Sequence, residues 1–559
     1  MRLARRILAL LVLAGSIVLL VRYRQNVEAA IIEKTFDAVA YAHAVEEEAA
    51  SKLRQLPQVI LPFHKTDDAE KPISSDTPSA DTATSKRPTA VEPIITTLKG
   101  EDGAEIKDVG AFWAKWSRIL HDARPTTAPI KLTGHTPAQK PPGGEQTRKP
   151  YKDLVRQSIE ELEPLQTAHR RLVTELETEL GDGKDGQSQR QWKGLDIFKG
   201  QGIVIVGGGE YFGPAIISLH MLRRTGCKLP VEVFVPDDDE YEAEICEQYL
   251  KKLDAKCVVL SHILDQSPIK TGAGNYGKEV DMQITHYQLK ALALLLSSFS
   301  DALLLDSDSI PLSDPAEIIF NAEPYQSKGM ILWPDYWRAT ESPKFWTIAG
   351  RTSFPTDLPA ASSETGQLVI NKATHLAPLL LATYYNLFGP DHYYPLQSQG
   401  ALGQGDKETF LAAVATLNAT YYRVRTAAVS LGRNDGVRER GTAMVQHSPA
   451  DDFRYHSKGT SSPPSHNSIR AMFLHSNTPK MNAGHLIDEG DLVAADGETR
   501  LRLLGTKEAL TKQFGYDVER TLWDLLVQTG CELQGTLKEW QGRDRICERL
   551  DEHYKKVFG

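Results

Sequence analysis

Asp306 and Asp308 stand one serine apart at the end of an apolar run, Leu303-Leu304-Leu305. The run reads as a buried strand, and Pro311 is expected to stop it. In an extended D-x-D the two side chains leave the backbone on the same side. Two carboxylates at a strand end can share a hard divalent cation with a phosphate oxygen, which suits an enzyme whose leaving group is a nucleoside diphosphate. The same residues also suit a polar turn after a core strand. A phosphatase with an aspartyl nucleophile is a third reading, but it needs a lysine and an acidic pair further along the chain. The cluster Asp237-Asp238-Asp239 lies upstream instead and reads as a solvated loop or helix N-terminus.

Other polar residues can join this pair. Gly207-Gly208-Gly209 sits between a strand and a helix, where free N–H groups meet a nucleotide or simply make a tight turn. Tyr287 and Lys290, at i and i+3, share a face of the helix leading into the D-x-D strand. Lys290 either reaches a phosphate or lies exposed on a snorkelling stem. Glu364 and Gln367 precede an apolar strand; they face the reacting sugar if that strand neighbours the D-x-D strand, and are otherwise polar caps. Asp406, in Gly405-Asp406-Lys407-Glu408-Thr409, reads as a helix N-cap, and with Glu408 it also suits binding of an acceptor hydroxyl. His475, after Met472-Phe473-Leu474, is either an ordinary histidine or a third ligand to a cation held by two aspartates, and Lys480 can neutralise a diphosphate. The aromatic residues dense between 333 and 422 stack on sugar rings or pack the core.

Positioning these residues takes a sheet. Strand-like segments at 202–206, 231–235, 257–260 and 302–305 alternate with helix-like ones at 215–224, 240–253 and 284–299. That alternation predicts an α/β domain with a mostly parallel sheet flanked by helices. Ligands of such sheets bind beyond the C-terminal strand ends, where Asp306 and Asp308 fall. Upstream, 151–180 reads as one amphipathic helix ended by Gly181. Residues 57–150 are rich in Pro, Thr, Ser, Asp and Lys, a composition that buries too little apolar surface to order itself, apart from an amphipathic island at 109–120. Residues 25–56 look helical. Residues 1–6 carry three arginines and 7–21 carry no charge. Those fifteen residues span about 22 Å as a helix, tolerable in a thin bilayer. The expected plan is a cytosolic tail (1–6), a signal-anchor (7–21), a partly disordered stem (22–190) and a lumenal catalytic body (191–559); a cleaved signal peptide is the rival.

At 559 residues, with 41% hydrophobic and 25% charged, the composition is that of a globular protein. A net charge of −9 excludes nucleic acid as the main partner. Cys531 and Cys547 can close a short loop; Cys227, Cys246 and Cys257 are too sparse for a metal motif and read as small buried hydrophobes, or leave one cysteine over if two bridges form. The sequon Asn418-Ala419-Thr420 is compatible with a lumenal body.

The block ITHYQLKALALLLSSFSDALLLDSDSIPLSDP is followed in order by ETGQLVINK, YYNLFGP, GALGQGDKETFLAA and FLHSNTPKMN. Together they resemble the fungal Golgi α-mannosyltransferases that branch mannan and N-glycans, glycosyltransferase family 71, over roughly residues 195–485. The resemblance implies a GT-A fold, one Rossmann-like sheet holding a sugar nucleotide and manganese. It implies GDP-mannose as donor and an α-mannoside glycan as acceptor, in protein glycosylation and cell-wall mannan synthesis, with α-1,2 linkage foremost and α-1,3 the alternative. It also implies a type II protein of the Golgi membrane, anchored through its N-terminal helix, with other mannosyltransferases as possible partners. Carried onto this chain, Asp306 and Asp308 match the D-x-D, His475 the third metal ligand, and Lys480 a residue near the diphosphate, with Gly207, Gly208, Tyr287 and Lys290 toward the nucleotide. Ser307 and Ser309 replace an alanine and an asparagine common in relatives, and Gln404 stands where an acid is frequent, which weakens the case for a base there. An α-linked donor and product mean retention, by front-face attack or through a covalent intermediate. Gln367 and Glu364 are the candidates beside the anomeric carbon, Asp406 and Glu408 those for the acceptor. A non-catalytic scaffold or lectin with a decayed transferase domain is the alternative, and the intact Asp306, Asp308, His475 and Lys480 argue against it.

Overall fold

The computed structural model describes residues 96–97, 106–142, 146–181, 192–193, 195–273, 281–285, 287–458 and 469–559. The expected tail, the signal-anchor at 7–21 and the helical stretch at 25–56 lie outside them. Among the described residues no helix is long and apolar enough to cross a membrane. All of them fall in one compact unit, Thr89–Gly559.

Part of the expected stem, within residues 106–181, is ordered against the body. Helix α1 (Val109–Asp122) forms at the amphipathic island, with the Asp108 carboxylate capping Ala111 N–H. It buries Phe112, Trp113, Trp116 and Leu120 completely. The polar segment after α1 orders by borrowing partners from the body, not by making a core of its own. Thr136 N–H donates to Gln399 O at 3.0 Å and Arg148 N–H to Leu358 O at 2.6 Å. The amphipathic helix expected from 151 begins only at α2 (Glu163–Leu180), with proline in its first turn. Before it, Leu154 N–H is taken by Gln399 Oε1 at 2.6 Å and Arg156 N–H by Lys131 O at 2.8 Å, which holds the chain extended.

From residue 201 the expected alternation appears. Along the chain come β1 (Gln201–Val206), α3 (Phe212–Arg224), β2 (Val231–Val235), β3 (Ala255–Val259), α4 (Gln288–Leu296), β4 (Asp301–Leu305) and β5 (Ser309–Pro311). Then follow β6 (Met330–Arg338), β7 (Ala361–Asn371), α5 (Lys372–Leu387), α6 (Thr409–Thr416), β8 (Tyr422–Arg423), β9 (Val429–Asn434), β10 (Glu439–His447), β11 (Ala471–His475), α7 (Val518–Leu533) and α8 (Ile546–Phe558). The main sheet has seven strands in the order β8-β6-β7-β4-β1-β2-β3. Strands β1 to β4 run parallel where they pair, as does β8 on β6, while β7 is antiparallel to both neighbours. Helices cover both faces, so Leu303, Leu304 and Leu305 are buried whichever way they point. On one face Leu304 and Leu368 pack with Leu292 and Leu380 from α4 and α5. On the other, Leu303 and Leu305 pack with Ile217 of α3, Leu474 of β11 and Trp523 of α7.

Pro311 does not stop the strand that carries Leu303 to Leu305, which ends at Leu305. The proline ends β5, which pairs antiparallel with β11 (Phe473 opposite Pro311, His475 opposite Ser309) in a second sheet ordered β9-β10-β11-β5. A proline is tolerated there because β5 is an edge and needs no outward N–H. Cysteines also depart from expectation in one pair. Cys531–Cys547 is bridged as anticipated, and so is Cys246–Cys257, whose Cα atoms lie 5.3 Å apart; Cys227 is free and buried. The fold brings 246 and 257 together across a helical turn and β3, a proximity their spacing did not reveal.

Candidate active site

Asp306 follows the last residue of β4, and Asp308 precedes β5, so the D-x-D is the joint between the two sheets. The joint is a turn and not extended chain, with Ser309 N–H donating to Asp306 O at 2.9 Å. Convergence of the two carboxylates therefore comes from the turn and not from strand alternation. The pairing of β5 with β11 delivers His475 to the same spot. One donor atom from each of Asp306, Asp308 and His475 lies within 4.8 Å of the others.

Around them the charges are tightly paired. His475 Nε2 is 3.2 Å from Asp308 Oδ1, and its Nδ1 is 3.5 Å from Glu364 Oε1. Lys480 Nζ donates to Asp308 Oδ2. Lys290 Nζ lies 3.0 Å from Asp306 and 3.2 Å from Asp406 Oδ2. Burial pushes the Asp306 carboxyl up, and Lys290 only partly counters it. Asp308 moves the other way: burial opposes its charge, but His475 and Lys480 more than offset that and hold it well below the usual carboxylate range. Burial likewise opposes charge on His475, yet Asp308 and Glu364 raise it well above the ordinary histidine value. Two carboxylates and one imidazole, with no thiol beside them, fit a hard or borderline divalent cation such as Mn2+.

Asp306, Asp308, Lys290 and Lys480 line a cleft of about 670 Å³ beyond the C-terminal ends of β1, β2 and β4, a size that suits a small organic ligand. Gly207, Gly208, Tyr287, Lys290, Asp306, Asp308 and Lys480 all line it. The glycine loop makes a tight turn that opens onto the cleft. Gly208 and Gly209 have φ of +98° and +47°, the left-handed region of a tight turn, and they also face the cleft. Lys290 is not the exposed lysine of one reading; its side chain is only 12% exposed. Tyr287 is half exposed, with its ring against Gly405, where a Cβ would stand 2.9 Å from Tyr287 Cδ2.

The residues expected around the sugar separate into three cases. Glu364 is near the cluster; its Oε1 accepts from Gly366 N–H at 2.7 Å as well as facing His475. Gln367 sits opposite Leu305 in the β4–β7 register, confirming that the two strands are neighbours, but its side chain is wholly buried against Ser309 Oγ at 3.2 Å. Asp406 caps no helix; it accepts from Thr365 Oγ1 at 3.0 Å and faces Lys290. Glu408 is a correction. Its carboxylate accepts from Ser362 Oγ and Ser363 N–H, both at 2.7 Å, and from Arg148 at 3.2 Å, and it is buried and does not line the cleft. Arg148 also contacts Glu341 at 3.2 Å, making a buried ion triplet that ties the segment before α2 to the body. Tyr211 and Glu240 line the cleft without having been anticipated. Tyr211 stands two residues after the glycine run at 207–209, and Glu240 directly follows the three aspartates.

A family model described as "Mannosyltransferase putative" matches residues 200–358 and 352–450. Alpha-1,2-mannosyltransferase MNN21 of Candida albicans is 35% identical over 455 residues, covering 71% of this chain and 66% of that protein. Alpha-1,2-mannosyltransferase MNN2 of Saccharomyces cerevisiae is 33% identical over 432 residues, covering 65% of this chain and 69% of that protein. The chain thus spans about two thirds of the length of either relative. Among solved structures, mouse xyloside xylosyltransferase 1 aligns with 40% of this chain and 85% of its own at 13% identity, with a TM-score of 0.26 that is too low to assign a fold. Identity sustained across most of this chain, together with the matching family model, makes the chain a member of this family of fungal mannosyltransferases.

Proposed function

We propose that the protein is a retaining, metal-dependent α-mannosyltransferase of GT-A architecture that moves mannose from GDP-mannose to an α-mannoside, with α-1,2 linkage. The observation that carries this is the convergence of Asp306, Asp308 and His475, two of which, Asp306 and Asp308, line the cleft at the parallel strand ends. The names of the relatives favour the α-1,2 linkage over α-1,3. We place it in the Golgi membrane, with residues 7–21 as anchor and the catalytic body in the lumen, serving protein glycosylation and mannan synthesis beside other mannosyltransferases.

Asp306, Asp308 and His475 would hold the cation, which when bound supplies charge neutralisation to the departing diphosphate. Lys480, at the rim of the cleft, adds a charge-assisted donor toward the same phosphates. Lys290 fixes Asp306 by holding it and Asp406 at once. Glu364 orients the His475 ring so that Nε2 faces Asp308. Of the two residues considered for the anomeric carbon, Glu364 is the one with a partly exposed carboxylate, 15% against complete burial of Gln367, so Glu364 is the group placed to stabilise positive charge on the sugar.

The test is transfer by the purified full-length chain with GDP-mannose, Mn2+ and an α-mannoside, with linkage analysis of the product. Release of GDP with a new α-1,2-linked mannose is expected. Absence of transfer, with GDP binding unaltered in Asp308→Ala, would overturn the proposal.

A further inference from the structure

Each aspartate of the D-x-D is covered by a lysine, and each lysine lies over a tyrosine ring. Lys290 Nζ is 3.0 Å from Asp306 and 5.8 Å from the centroid of Tyr287. Lys480 Nζ bonds Asp308 and is 6.0 Å from the centroid of Tyr211. The two stacks are not equivalent. Lys290 is 12% exposed at its side chain and is gripped from a second side by Asp406, itself fixed by Thr365. Lys480 is 39% exposed, has Asp308 as its carboxylate partner, and sits on the loop after β11. Both ammonium groups occupy carboxylate lone pairs that a divalent cation would need, but only Lys480 can leave without stranding a second buried acid.

We infer that Lys480 is an exchangeable counter-ion: it neutralises Asp308 when no cation is present, and a cation taking Asp308 turns the Lys480 ammonium toward the nucleoside diphosphate. The inference rests on the reading of Asp306, Asp308 and His475 as the cation site. Its consequence is that cation and nucleotide binding are coupled through one side chain. While Lys480 sits on Asp308 it competes with the cation and is withheld from the phosphates, so the competent arrangement is only fractionally populated. Once displaced, the ammonium keeps the Tyr211 ring as a neighbouring face and gains charged acceptors within the cleft. Lys290 stays in place as a permanent counter-charge.

The test uses the full-length chain titrated with Mn2+ alone, free Mn2+ being read by electron paramagnetic resonance, and then with GDP by calorimetry in saturating Mn2+. Lys480→Met is expected to bind Mn2+ about tenfold more tightly than the unaltered protein and GDP about tenfold more weakly. Lys480→Arg keeps the charge and follows the unaltered protein in Mn2+ binding. Lys538→Met removes an ammonium that bonds Asp239 O at 2.9 Å, away from Asp308, and is expected to leave Mn2+ affinity within about twofold. Unchanged or weaker Mn2+ binding in a folded Lys480→Met protein overturns the exchange, as does equal tightening in Lys538→Met. An unaltered protein that binds neither Mn2+ nor GDP overturns the proposed function instead.

Discussion

Gly366 lies so close to His475 that a Cβ on it would stand 2.7 Å from the imidazole Nδ1. The same residue accepts the Asp306 N–H at 2.9 Å through its carbonyl, so one strand position sets two of the candidate ligands. Gly366→Ala should therefore push the His475 ring off Asp308. We expect Mn2+ affinity to fall roughly 10–100-fold, the usual effect of disturbing a ligand's support, with a far smaller change in Tm. Calorimetric Mn2+ titration beside a thermal melt checks this.

Removing the ligands themselves should be graded. Asp308 has two cationic partners, so Asp308→Ala both deletes a ligand and leaves His475 and Lys480 crowded together. Transfer is expected to drop by on the order of 100-fold or more, and GDP to bind equally with or without Mn2+. His475→Ala should retain residual transfer and respond to raised Mn2+. A rate for Asp308→Ala within threefold of the unaltered protein would contradict the site.

The Arg148 triplet makes a prediction about where the catalytic body begins. A fragment starting at 191 lacks α1, α2 and Arg148, and leaves Glu341 and Glu408 buried without their cation. It should aggregate, whereas one starting at 89 should melt cooperatively. In the full chain Arg148→Met should cost about 3–5 kcal/mol, read by urea unfolding, as is usual when one partner of a buried pair is removed. Glu408→Gln should lower stability while leaving the acceptor KM unchanged.

Acid should destabilise the same layer. His169 of α2 bonds Tyr385 Oη at 2.8 Å, and burial lowers its pKa from 6.5 to about 4. Its folded value is depressed, so its contribution is complete above about pH 6.5 and is lost as pH falls toward 4. The loss should approach 1.4 kcal/mol per pH unit. His169→Gln should reduce the proton uptake on unfolding by about one between pH 6 and 5, measured from urea midpoints.

What was readable from the chain was local. Leu303 to Asp308 announces a strand ending in acids because burial on both faces forces an unbroken apolar run. His475 and Lys480 were visible for the same reason, since an apolar strand there turns abruptly polar. Residues whose roles depend on partners far along the chain were misread. Glu408 looked free beside a glycine turn, but its cation is 260 residues upstream. Asp406 looked like a cap, but the fold presents it to Lys290. The polar segment carrying Arg148 looked unable to order because its partners all belong to other elements.

The joint between the two sheets has a further consequence. Asp306 hangs from the seven-stranded sheet and His475 from the four-stranded one, with Asp308 in the turn between them. An ion gripped by all three would act as a rivet across that seam. Its arrival should slow amide exchange along β10, one strand beyond the ligand-bearing β11, so occupancy of the site becomes readable as mechanical stiffness in the second sheet.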